Sequence, residues 1–230
     1  MDDRVATIVS KMLRLVVYYV ASATRPPDPL GAKSGRLYYL PRLAQLLSCY
    51  RALVGPAPTQ ELRAWEDFYK WACEDTERSW QLQGDSAALD GALEWEVTIY
   101  RQIVLDVLVP VLVPPLRREV SPYEPDLDED VSLEDIGLEN DLDTLNCIAH
   151  ARGKAQAIVD FLERHGVRPA VEELAEADAA LRCHCHLVVA RFLRYGPDVL
   201  PSWEEEQRQA CFPEEWWWHY PSMVAGQETG

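Results

Sequence analysis

The sequence predicts an all-α protein, an antiparallel bundle of helices, on three observations. Apolar residues recur at three- and four-residue steps along most of the chain, no window alternates apolar and polar residues as a half-buried strand does, and Pro/Gly clusters separate the periodic stretches. With 230 residues, 48% of them apolar, the chain reads as one helical domain over 1–230 able to bury a substantial core.

The elements follow in order. Val5, Ile8, Met12, Leu15, Val16 and Tyr19 share the spacing of one buried helix face. After the loop "TRPPDPLGAKSG", the segment "YLPRLAQLLSCYRALVG" predicts a second helix ending at Gly55. A third runs from Thr59 to about residue 81, with Trp65, Phe68, Tyr69, Ala72 and Trp80 on its apolar side. A fourth carries "LEWEVTIYRQIVLDVLVPVLV", where Pro110 should end or kink it. The most acidic window, about 118–132, reads as a solvated connector, and Ser132 with Asp135 resembles a capping box that starts a helix reaching about His165. Gly166 and Pro169 mark a turn, and "PAVEELAEADAALRCHCHLVVARFLRY" returns with Leu174, Leu181, Cys185, Val188 and Phe192 inward. A C-terminal tail over about 197–230 contains "EEWWWHYP".

Charge narrows the choice of partners. With 38 Asp and Glu against 22 Lys and Arg, the formal charge of −16 repels nucleic-acid phosphates and anionic lipid over most of the surface. Neither nucleic acid nor a membrane is expected as a partner. The first helix is interrupted by Lys11 and Arg14, and "VLDVLVPVLVPPL" is shorter than a span requires and is broken by Pro110 and Pro114. Six cysteines make no dense disulfide framework, so reduced thiols and a cytoplasmic location are expected.

The most specific stretch is "GLENDLDTLNCIAHARG". Projected at about 100° per residue, Leu133, Gly137, Asn140, Thr144, Cys147, Ile148, Ala151, Ala155, Ile158 and Leu162 fall in one sector, which predicts the core-facing side. Asn140 and Thr144 interrupt that sector with oxygen-bearing side chains. Burying them without partners costs about 1 to 3 kcal/mol each, so a neighbouring helix, an ordered water or a metal ion must meet them.

"ENDLDTLN" resembles the magnesium-binding helix of class I terpene synthases, in which Asn, Ser or Thr, and Glu recur at four-residue steps. Asn140, Asp141 and Thr144 match that pattern, and Ile148 stands where the Glu belongs. "EWEVTIYRQIVLD" resembles the family's segment around a diphosphate-sensing arginine, here Arg101. "WWWHY" puts His219 and Tyr220 near the place of the family's C-terminal Arg-Tyr pair. Of the aspartate-rich motif only Asp2 and Asp3 are available.

The resemblance implies a sesquiterpene cyclase-like bundle of the class I isoprenoid synthase type, incomplete at its N-terminus and with degenerate metal motifs. It implies magnesium as cofactor, held by Asp2, Asp3, Asn140 and Thr144, and a carbon–oxygen lyase reaction on an isoprenyl diphosphate, most plausibly farnesyl diphosphate. Arg101 and Tyr220 would be catalytic; Arg101, His219 and Tyr220 would bind the diphosphate end, and Trp65, Phe68 and Tyr69 the hydrocarbon. Trp95 and Tyr100 are further aromatic candidates for sheltering a carbocation.

Two other readings stand beside it. One is a non-catalytic helical interaction domain, using the acidic loop or an exposed Trp216–Trp217–Trp218 patch. The other is a zinc site from Cys147 and His150 with Cys183 and His186, whose helical phase does not point the second pair at the first.

Overall fold

The computed structural model describes residues 3–22, 31–55, 59–83, 86–112, 137–210 and 212–226. These residues form helices and short connections, with no strand among them. The helices are α1 (Asp3–Ser22), α2 (Gly31–Val54), α3 (Gln60–Gln83) and α4 (Ser86–Arg101), then α5 (Val109–Leu112), α6 (Gly137–Arg164), α7 (Glu172–Tyr195), α8 (Val199–Gln209) and α9 (Pro221–Ala225). A π-helical segment, Gln102–Leu108, joins α4 to α5, and a 3-10 turn, Trp217–His219, precedes α9. The expected capping box at Ser132 and Asp135 and the acidic connector lie outside the described residues.

The chain divides into two compact units. The first comprises Met1–Glu96, Gly153–Pro169 and Glu205–Trp216; the second comprises Val97–Arg152, Ala170–Glu204 and Trp217–Gly230.

In the first unit α1, α2 and α3 pack on one another around Leu13, Val16, Leu43, Leu46, Leu62 and Trp65. The face of α1 expected to be buried is largely the wrong one. Leu13, Val16 and Val20 are inside, whereas Val5, Ile8, Leu15 and Tyr19 are exposed. The apolar arc of α1 is wider than its neighbours cover, so three- and four-residue spacing holds on both sides and cannot say which side is inward. Helix α2 departs from expectation in its start, at Gly31 rather than near Tyr39, which places Pro41 in its interior. A helix-interior proline costs about 3 kcal/mol. Burial of Leu37, Leu40, Leu43, Leu46 and Leu47 offsets it, at about 1.5 to 3 kcal/mol for each fully buried side chain. The start of α3 follows the sequence closely, because Thr59 Oγ1 accepts a hydrogen bond from Leu62 N at 3.1 Å and caps the first turn.

The second unit packs α7 against α9, α5 and the π-helical segment. Its α7 buries Leu174, Ala177, Leu181, Cys185, Val188 and Phe192, the side the periodicity identifies. Pro110 does not end the helix at once, since α5 continues through it to Leu112. The backbone widens before it, with Val109 N donating to Val104 O, and a wider turn relieves the clash a proline ring makes with the carbonyl four residues back. The C-terminal stretch read as a tail includes α8 and α9 and buries Leu200 and Trp203.

Gly153 is in the first unit at a point of close approach. A Cβ there would lie 2.5 Å from Tyr38 Cε2 and 3.1 Å from Trp216 Cζ3, two rings that stack at 5.8 Å. Helix propensity favours alanine over glycine by about 1 kcal/mol, while overpacking costs about 1 to 3 kcal/mol. Gly153→Ala is therefore expected to lower the unfolding free energy in urea despite its better propensity; an unchanged or raised midpoint would show that the rings yield freely.

Candidate functional site

Most of the chemistry-bearing side chains singled out above fall in the second unit. Arg101, Asn140, Asp141, Thr144, His219 and Tyr220 all belong to it, whereas Asp2, Asp3, Trp65, Phe68 and Tyr69 belong to the first. Asp2 and the side chains of Asp3 and Asn140 lie outside what the structure describes.

Arg101 is the last residue of α4, immediately before the backbone widens. Its side chain is 42% exposed and pairs with Glu176 at 3.2 Å and Glu173 at 4.0 Å, both on α7. Asp141 is half-buried, and its Oδ2 accepts from Arg191 Nε at 2.7 Å and Tyr195 Oη at 3.0 Å. That hydrogen bond, with the neighbouring carboxylate charge, raises the Arg191 pKa against the opposing effect of burial. Thr144 is half-buried. Ile148 is fully buried, so the position of the missing Glu belongs to apolar packing. His219 and Tyr220 are buried as well, and their rings lie 6.3 Å apart.

The inward stripe of α6 lies slightly to one side of the predicted sector. Leu145, Ile148, Ala149, Ala151, Ala155, Ile158 and Leu162 are buried, but Cys147 is exposed. Arg152 also faces inward, four residues after Ile148 and outside the sector that the sequence projection marks as core-facing.

Arg152 organises the most connected polar cluster in the unit. Its side chain is 6% exposed and forms a two-pronged pair with Asp178 of α7, Nε to Oδ1 and Nη2 to Oδ2, both at 2.8 Å. Tyr100 donates its hydroxyl to Asp178 Oδ1 at 2.8 Å. Burial, reinforced by the Asp178 charge, holds the Tyr100 pKa well above the ordinary phenol value, so its hydroxyl remains a donor. Trp218 covers the other side of the guanidinium, with the arginine carbon 4.1 Å from the ring centroid. None of these partners has a local sequence signature. Arg152 falls just beside the sector that the sequence marks as inward, so its burial, and with it the need for a facing acid, follows only from the packing.

Two contacts secure the C-terminal segment. Trp203 donates to Asn146 at 3.1 Å, and the buried Glu204 carboxylate accepts from Ser222 N at 2.8 Å, satisfying a donor at the start of α9. A narrow apolar pocket lies among Leu145, Ile148, Leu181, Cys185, Trp217 and Trp218, with room for about one water molecule. The expected Trp patch is not exposed: Trp216 and Trp218 are buried, the first against Tyr38 and the second against Arg152. Of the suggested zinc ligands, Cys147 and Cys183 are exposed, and no group of three His, Cys, Asp or Glu suited to a metal occurs among the described residues.

No family model, curated protein or solved structure matches this chain.

The Arg152–Asp178 pair yields a double-mutant test. Removing one partner from a buried pair costs about 3 to 5 kcal/mol because the other charge is left behind, whereas replacing both with apolar groups costs far less. Arg152→Met alone and Asp178→Leu alone should each lower the urea midpoint sharply, and the double variant should recover much of the loss. Additive losses would show that the two side chains do not act as a pair.

Proposed function

We propose that this chain is a class I terpene synthase-like protein acting on an isoprenyl diphosphate, farnesyl diphosphate in the first instance, by magnesium-dependent ionisation and cyclisation. The observation that carries this reading is that Arg101, Asn140, Asp141, Thr144, His219 and Tyr220, picked from three separate sequence segments, belong to one compact unit of an all-helical chain.

The chemistry of the donors suits the reading. Asn140 and Thr144 offer the neutral oxygens that a hard divalent cation accepts, and they would hold the magnesium ion. Bound there, the ion supplies positive charge against which a diphosphate can leave. Arg101 would take the departing anion. Its present pairing with Glu173 and Glu176 is no obstacle, because exposed ion pairs of this kind contribute only about 0 to 1 kcal/mol and open readily. The apolar pocket beside Ile148 is too small for a prenyl chain as it stands, so a chain enters there only if Trp217 and Pro221 move aside.

A second reading, a non-catalytic helical interaction domain, is favoured by a different observation. Ile148 removes one ligand of the family's metal set, and Asp141 is already engaged by Arg191 and Tyr195.

Purified protein incubated with farnesyl diphosphate should release diphosphate only when magnesium is present, and Asn140→Ala should abolish that release. Magnesium with inorganic diphosphate should also raise the melting temperature of the unmodified protein. No release together with an unmoved melting temperature would leave the interaction reading in its place.

A further inference from the structure

We infer that the outward face of α1 docks an amphipathic helix with acidic flanks, supplied by a partner chain. This inference stands on the first unit alone and does not depend on the diphosphate reading.

The face has the geometry of a helix-pairing seam. Val5, Ile8, Met12, Leu15 and Tyr19 alternate steps of three and four residues, the a and d positions of a seven-residue repeat. Ile8 is 49% exposed and Leu15 48%, with Val5 and Tyr19 exposed to a similar degree. The adjoining face, through Leu13, Val16 and Val20, is completely buried, so α1 is held in its own unit and leaves an apolar stripe exposed beside it. Met12, at the middle of the stripe, is half-buried against the unit's own core, and Tyr18 is exposed beside Tyr19, so the exposed strip remains about as wide as one helix covers.

Positive charge borders the stripe on both sides. Lys11 is exposed on one edge, with no carboxylate partner among the described residues. On the other edge Tyr39 of α2 stacks against Tyr19 at 5.0 Å, and Arg42 follows one turn later on the same helix. Arg42 is half-buried over the Phe212 ring at 5.1 Å; its buried Nε has no hydrogen-bond partner, and no carboxylate meets it among the described residues. Between positions 5 and 22 there is no acidic residue, in a chain that has 38. Carboxylates flanking an apolar seam complement both edges, and one reaching inward from a helix would meet Arg42.

Other occupants fit less well. The stretch Val5–Ser22 is long and apolar enough for a membrane span, but Arg42 is recessed among rings, where a single carboxylate side chain reaches more readily than a layer of lipid headgroups. A second copy would offer its own Lys11 edge in place of a carboxylate.

The test uses fluorescence anisotropy with two labelled synthetic peptides of about three heptads, Leu and Ile at their a and d positions, one flanked by Glu and the other by Lys. The Glu-flanked peptide should bind at least about tenfold more tightly, with a Kd that rises with salt. Ile8→Glu combined with Leu15→Glu should weaken binding by at least about tenfold, with an unchanged circular dichroism spectrum because both positions are half-exposed. Lys11→Glu, a surface change, should narrow the preference between peptides. Equal binding of the two peptides, or no binding of either, overturns the inference. So does binding of phosphatidylserine vesicles, or concentration-dependent dimerisation in sedimentation, that Ile8→Glu with Leu15→Glu removes while the Glu-flanked peptide fails to compete.

Discussion

The second unit depends on one buried positive charge. Arg152 is removed from water, and an isolated ion in that position would be untenable. Its stability requires Asp178 at matching bidentate distance, a hydroxyl from Tyr100 to use the carboxylate's remaining capacity, and the ring face of Trp218. Those demands tie α4, α6, α7 and the turn before α9 to a single position within the unit. The first unit has a counterpart in the buried Arg36, which pairs with Asp75 at 2.8 Å and lies over the Trp71 ring, while the leucines between α1, α2 and α3 pack by shape alone.

This contrast bears on what the sequence could reveal. Helix existence was legible nearly everywhere, because periodicity, the Thr59 cap and the punctuation around Gly166 are local signals. The inward side of α7 was legible for the same reason. The inward side of α1 was not, since apolar residues occupy both phases and only tertiary neighbours decide between them. The start of α2 was not legible either, since its first turns lie in a stretch read as a Pro/Gly loop and the proline inside it is offset by leucines whose burial the sequence alone cannot count.

The candidate site was legible only in outline. The run at 140–144 announces itself because polar groups interrupt an apolar stripe, and Arg101 was reached only through the resemblance. The ion pairs that now engage Arg101 and Asp141 come from α7, whose acidic and basic residues look like ordinary solvated positions in sequence. Pairing across helices is a property of their packing, so Glu173, Glu176 and Arg191 carried no advance mark. Ile148 is the instructive case: the family pattern asks for a ligand, and the fold uses the position for packing.

The widened backbone at Gln102–Leu108 also bears on how the chain can vary. Bonding to the fifth residue instead of the fourth accommodates one extra residue within a turn, so the segment already holds an addition that a regular helix would have no room for. Val104 and Leu108 still face inward across it. Removing one residue between Arg101 and Pro110 would return the segment to regular α-helical bonding, so the separation of those two positions is set by the widened turn and not by helix geometry alone.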